Sequence, residues 1–143
     1  MNSAIRSSRV IVFAVKALII HEAKFLAVHK SSDKSPDYEL PGGKMIFGET
    51  AEETIVREVR EETGLHVKPI SLVDTWNYVA EALQVTGVIY LCTTENLEPI
   101  IISDEHDRYE WVSPDSGSLE KMNSIFKPKM ITWNWDELIC KQR

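Results

Sequence analysis

The sequence predicts a mixed α/β sandwich, on three observations. A long β-branched apolar run lies near the N-terminus with further strand-like runs after it, one strongly capped helix pattern occupies the centre, and a second helix pattern closes the chain. A length of 143 residues, 43% hydrophobic and 27% charged, suits one soluble domain with a real core, and excludes a disordered, collagen-like or disulfide-built chain. No Gly/Ser linker, low-complexity tract or repeat marks a boundary, so residues 1–143 read as a single domain. Sixteen basic against 22 acidic side chains give a net charge of −6, which argues against a nucleic-acid binder.

Residues 10–20 form the first strand. Arg6 and Arg9 ahead of this run imitate a secretory leader, but Lys16 interrupts it, no small-residue cleavage site follows, and 11 residues fall short of a bilayer span. A buried strand is the reading, and no membrane is expected as a partner. Residues 21–24 are a short turn and 25–29 the returning hairpin strand. The polar stretch 31–37 is a loop, 38–40 a short extended piece, and Pro41-Gly42-Gly43 a turn where backbone can approach a ligand closely. A helix opens after Thr50, a plausible N-cap, with Glu53 as its capping-box partner, and Gly64 stops it. Residues 67–76, 83–93 and 109–112 are further strands, 113–117 a loop and 132–140 a C-terminal helix. Cys92 and Cys140 have no metal-like spacing. Cys92 ends an apolar run as a small core residue, and this usage fits a reducing cytoplasm.

The central helix carries the chemistry. Between Glu49 and Glu62 stand six acids against two bases, a local charge of −4. At ~100° per residue Glu58, Glu61 and Glu62 share one face. Ile55 and Val59 fall on the adjoining face, where they can dock on a sheet, and Arg57 sits beyond the acids, placed to pair with and orient Glu49. An ordinary solvated helix would interleave lysine at i+4, yet the residue four beyond Glu58 is another glutamate. A hard-oxygen site for Mg²⁺ or Mn²⁺ resolves the repulsion, and a solvated acidic face is the alternative reading of the helix alone.

From Gly43 to Leu65 the chain reads GKMIFGETAEETIVREVREETGL. This matches G-x5-E-x7-R-E-U-x-E-E-x-G-U (U a bulky aliphatic residue) at all nine constrained positions: Gly43, Glu49, Arg57, Glu58, Val59, Glu61, Glu62, Gly64 and Leu65. The pattern resembles the signature of the Nudix hydrolases over about a sixth of the chain, and Leu-Pro-Gly-Gly-Lys ahead of it resembles the usual family context. The resemblance implies an α/β/α sandwich around a central mixed sheet and hydrolysis of a nucleoside diphosphate linked to another moiety. It implies one to three Mg²⁺ or Mn²⁺ ions held by Glu58, Glu61 and Glu62, with the Gly42 carbonyl. Glu49 and Arg57 map to the pair that steadies loop and helix, with Gly43 and Gly64 as further structural support and Arg57 among the catalytic set. Divalent ions would invert a field that otherwise repels an anionic substrate.

Many relatives add a distal acid from a loop before a late aromatic strand residue. Glu105, six residues before Trp111, matches it as metal ligand or general base, with a merely solvated loop the alternative. His106 beside it reads as a surface histidine. Lys30, Lys44 and Asn123 are candidate substrate contacts. Trp76, Tyr78, Phe126 and Trp133 could stack on a base, but read first as core. Absences steer specificity: Ala80 and Glu81 stand where ADP-ribose-hydrolysing relatives usually have proline, and Ala82 and Leu83 where diadenosine-polyphosphate relatives tend to have tyrosine. A compact enzyme acting on (deoxy)nucleoside tri- or diphosphates, oxidised ones included, is the resulting expectation, in a cytoplasmic monomer or homodimer. ADP-ribose or nucleotide-sugar hydrolysis is the alternative within the class. A non-catalytic nucleotide-sensing module and an isopentenyl-diphosphate isomerase are the alternatives outside it.

Overall fold

The computed structural model describes residues 8–94 and 99–143; Arg6 lies outside them. Strands β1 (Val10–His21) and β2 (Lys24–Lys30) form the expected hairpin, joined by Glu22 and Ala23, both at positive φ. β3 is Gly42–Lys44, helix α1 is Ala51–Thr63, β4 is Val67–Ala80, β5 is Leu83–Thr94 and β6 is His106–Val112. A 3-10 turn at Ser118–Lys121 precedes helices α2 (Lys127–Met130) and α3 (Trp135–Gln142).

The sheet runs β4-β5-β1-β2-β6, with β3 also on β1. It is mixed: β1 pairs parallel with β5 along ten positions, and the other pairings between these strands are antiparallel. The apolar run of β1 is continuous because both faces are covered. Val15, Ala17 and Ile19 pack with Ile55 and Val59 of α1 and with Leu65, Tyr90 and Cys92. Ala14, Leu18 and Ile20 face the opposite layer, with Trp76, Phe126, Met130 and Leu138. The result is an α/β/α sandwich with a central mixed sheet, as the resemblance implied. Among the described residues no helix is long and apolar enough to cross a membrane.

Four local expectations are corrected. Gly42 and Gly43 do not form a turn; with Lys44 they pair with Ala14–Lys16, because the peptide at Gly42 runs so close to β1 that a Cβ there would stand 2.1 Å from the Val15 carbonyl oxygen. β4 continues to Ala80 because β5 pairs with it along its whole length. β6 begins at His106, opposite Lys30, rather than at residue 109. The C-terminal helix starts later and is preceded by another. Thr132 bonds back to the Lys129 carbonyl at the end of α2, and Asn134 then caps α3 by accepting from the Glu137 N–H.

Candidate active site

Helix α1 is placed by its ends. Thr50 and Glu53 exchange the two bonds of a capping box, and Gly64 ends the helix at φ 77, its N–H donating to the Arg60 carbonyl. Ile55 and Val59 are buried on the sheet, which brings Glu58 and Glu62 against Gly43 and Gly42 of β3.

Arg57 organises the acids. Its Nε (2.7 Å) and Nη2 (3.0 Å) grip both carboxylate oxygens of Glu49, Nη1 donates to Glu58 (2.9 Å) and Glu61 (3.3 Å), and Nη2 also reaches the Lys44 carbonyl (3.0 Å). All five donors of the guanidinium are used, a geometry no lysine reproduces. The carboxylate stripe is therefore not uncompensated; its counter-charge stands at i−1 from Glu58 rather than at i+4. Glu49 also accepts from the Ile46 N–H and the Thr54 hydroxyl, and this set, led by Arg57, holds its carboxyl down at about 2.

The two inner acids shift the opposite way from Glu49. Burial pushes Glu62 up to about 8, against the pull of Lys16 and of the Gly42 N–H, which donates to its Oε1 at 3.1 Å. Burial also raises Glu58, with Arg57 opposing and Glu61 and Glu105 adding repulsion. Glycine at 43 lets the Glu58 carboxylate lie against the backbone. A Cβ on Gly43 would stand 2.4 to 2.7 Å from the Glu58 carboxylate atoms. Glu61 is largely exposed.

The distal loop is bound to both neighbours. Ile101 and Ser103 N–H groups donate to the Thr63 and Glu62 carbonyls at the end of α1, and Ser31 donates from its N–H to the Glu105 carbonyl and from its hydroxyl to Asp104. The Glu105 side chain is exposed and close enough to Glu58 to raise it. Lys30 ends β2 opposite His106, and Lys44 is exposed with its carbonyl on Arg57. Asn123 is different: its Oδ1 accepts from the Ile125 and Phe126 N–H groups, so it caps a turn and keeps only its amide nitrogen for another contact.

His106 is not a surface residue. It is 6% exposed, its Nε2 lies 4.0 Å from Glu62, and its Nδ1 has no hydrogen-bond partner among the described residues. Two more buried polar residues were not assigned to the site in sequence. Lys16 is buried on Glu39 (3.1 Å), with Nζ 5.5 Å from the Trp76 ring, and its mark was a charge inside an apolar strand. His29 is buried at the end of β2, and nothing in its spacing gave it away. Trp76 and Phe126 are core, as first read, and Trp133 bonds to Asp74. Ala80–Leu83 form the β4–β5 turn, opposite Val10, whereas Gly42 lies opposite Lys16. Six residues of β1 at ~3.3 Å each put them roughly 20 Å from the acids. Within one chain, those positions do not line the site.

Chemically, the donor set fits a hard divalent cation: clustered carboxylates whose protons are held by burial and mutual repulsion. Among the described residues no three His, Cys, Asp or Glu side chains converge as a ready-made ligand shell.

A family model described as NUDIX domain matches residues 11–133. The chain belongs to the NUDIX domain family. A MutT protein from Methanosarcina mazei Go1 superposes with a TM-score of 0.76 at 26% identity, over 90% of this chain and 95% of that one. The 8-oxo-dGTP diphosphatase of Escherichia coli K12 is 35% identical over 75 residues, 52% of this chain and 57% of its own length. The ADP-ribose pyrophosphatase of Methanocaldococcus jannaschii is 38% identical over 65 residues, 45% of this chain and 38% of its own length. The chain thus spans less than two thirds of either curated NUDIX relative.

Proposed function

We propose that this NUDIX chain hydrolyses a diphosphate linkage in a nucleoside diphosphate joined to another moiety, with (deoxy)nucleoside tri- or diphosphates, oxidised ones included, as the substrate class. One observation carries the reading: Glu58 and Glu62 are held by Arg57 and the Gly42 N–H in a half-dry site where both are pushed toward protonation. Such a site costs stability and is explained by a bound cation. Glu58, Glu61 and Glu62, with Glu105 and the Gly42 carbonyl, would hold one to three Mg²⁺ or Mn²⁺ ions. Bound there, the ions would supply charge neutralisation at phosphorus and acidify water.

The chain's own groups do the rest. Arg57 fixes the acids against rotation, so their field is preorganised before substrate arrives. Glu105, exposed and close enough to raise the Glu58 carboxyl, accepts the proton of the attacking water or adds a ligand. Lys30 and Lys44 offset phosphate charge at the mouth. The similarity to an 8-oxo-dGTP diphosphatase supports the triphosphate class, and that to an ADP-ribose pyrophosphatase keeps ADP-ribose in the test.

The test is release of phosphate, pyrophosphate or nucleoside monophosphate with Mg²⁺ across a panel of nucleotides, oxidised nucleotides, nucleotide sugars and ADP-ribose. Turnover that stops in EDTA is expected. Nucleotide binding without turnover of any member would identify a non-catalytic binding module instead.

A further inference from the structure

His29 sits at the end of β2, 3% exposed, between two acceptors from different segments. Its Nε2 is 2.6 Å from the Ser35 carbonyl oxygen and its Nδ1 2.8 Å from Asp107 Oδ1. A carbonyl oxygen can only accept, so Nε2 carries a proton. Asp107 Oδ1, with the cationic Arg108 Nη1 3.6 Å away, is the second acceptor, so Nδ1 donates as well. A neutral imidazole has one N–H; a ring that donates twice is an imidazolium. The remaining neighbours do not change this count. Tyr38 meets the ring edge-on at 6.2 Å, and the Arg108 guanidinium, 5.7 Å from the Tyr38 ring, is the cation that opposes the charge.

The two tethered segments bracket Glu105. On one side Ser31, two residues past His29, donates to the Glu105 and Asp104 carbonyls. On the other, His29 holds Asp107, two residues past Glu105. We propose that His29 is a positioning residue: as a double donor it pins loop 31–37 to Asp107, and with Ser31 it fixes the direction in which Glu105 faces the helix acids. The proposal rests on the reading of Glu105 as base or ligand in the proposed reaction. The ring's hydrogen bonds raise its proton affinity over the opposing burial, in the direction the geometry requires. The charge is present below the folded-state titration point and lost as pH rises through it.

The first experiment uses ¹⁵N NMR of the histidine rings in the unaltered protein. At neutral pH both His29 nitrogens are expected to be protonated; a neutral single tautomer there overturns the proposal, whatever Glu105 does. The second reads hydrogen exchange and kinetics. Asp107→Ala, a change at an exposed residue, and His29→Gln should speed amide exchange at residues 104–107 by about tenfold or more with the melting temperature of Asp107→Ala little changed. Both should lower kcat by about tenfold with KM within about twofold, since misplacing a reacting group costs turnover first. They should also abolish the fall in kcat that the parent shows as pH rises through the His29 titration measured by NMR. In a Glu105→Gln background neither change should lower kcat further. If Glu105→Gln is itself harmless, the Glu105 reading fails while ring protonation and exchange still decide the tether. Unchanged exchange at 104–107 in both variants defeats the tether itself.

Discussion

Replacing one buried acid should stabilise the metal-free protein, and the size can be worked from the site. Glu62 is 3% exposed, and its carboxyl rises from an ordinary 4.5 to about 8 in the fold. The raised acid costs nothing below about pH 4.5, where both states are protonated. Stability is then lost as pH climbs through the window between 4.5 and 8, because the unfolded chain ionises freely and the folded one does not. At pH 7 that window has been crossed for ~2.5 units, which at ~1.36 kcal/mol per unit is about 3 kcal/mol. Glu62→Gln keeps an oxygen for the Gly42 N–H and removes the group that must take up a proton to fold. In EDTA at pH 7 its melting temperature should exceed that of the parent by about 6–12 °C, at roughly 2–4 °C per kcal/mol for a chain of this size. At pH 4.5 the gain should vanish. Millimolar Mg²⁺ should raise the parent and not the variant, because a ligand that binds only the native state stabilises it by RT ln(1 + [L]/Kd). Differential scanning fluorimetry from pH 4.5 to 8.5, with and without EDTA, is sufficient. A parent melting temperature flat across that range, or a Glu62→Gln variant less stable at pH 7 in EDTA, would refute the reasoning.

Three further outcomes follow from the same geometry. Glu58→Gln should lower kcat by on the order of 10³ or more while the far-UV spectrum is kept, since it removes charge at the reacting centre and not packing; steady-state kinetics and circular dichroism check both halves. Gly43→Ala must displace the Glu58 carboxylate, whose nearest atom would be 2.4 Å from the new Cβ, and a fall in kcat of about 100-fold with a weaker Mg²⁺ titration is expected. Glu105→Gln should lower kcat with little change in KM and flatten the acidic limb of the pH–rate profile; a loss that high Mn²⁺ restores would assign Glu105 to metal binding rather than proton transfer.

What the sequence disclosed and what it hid divide along local and long-range physics. The cap at Thr50, the stop at Gly64, the shared face of Glu58, Glu61 and Glu62 and the Arg57–Glu49 pair all depend on spacing within one helix and its approach. They were legible because helical periodicity fixes who meets whom. The Gly-Gly pair was misread because its conformation is set by β1, whose carbonyl leaves no room for a side chain. His106 was misread because its burial depends on β6 pairing with β2 across a register shift. Lys16 showed as an anomaly, a lysine among aliphatic residues, but its partner Glu39 stands 23 positions away. The 132–140 helix was placed early because Trp133 leaves the helical path to bond Asp74 on β4.

The bonds from Ile101 and Ser103 to the Thr63 and Glu62 carbonyls make the distal loop the lid on the last turn of α1. A loop in that position cannot swing freely. Lifting it would strip donors from two helix-end acceptors, at about 1–3 kcal/mol for each one left buried and unpaired. The helix would fray beside Glu62 at the same moment. Loop and helix therefore open or close as one cooperative unit, and Glu105, two residues past Ser103, is carried on a backbone already tied to the helix. A site arranged in this way trades adaptability for readiness: residues 101–103 already hold their place on the helix end before any substrate arrives.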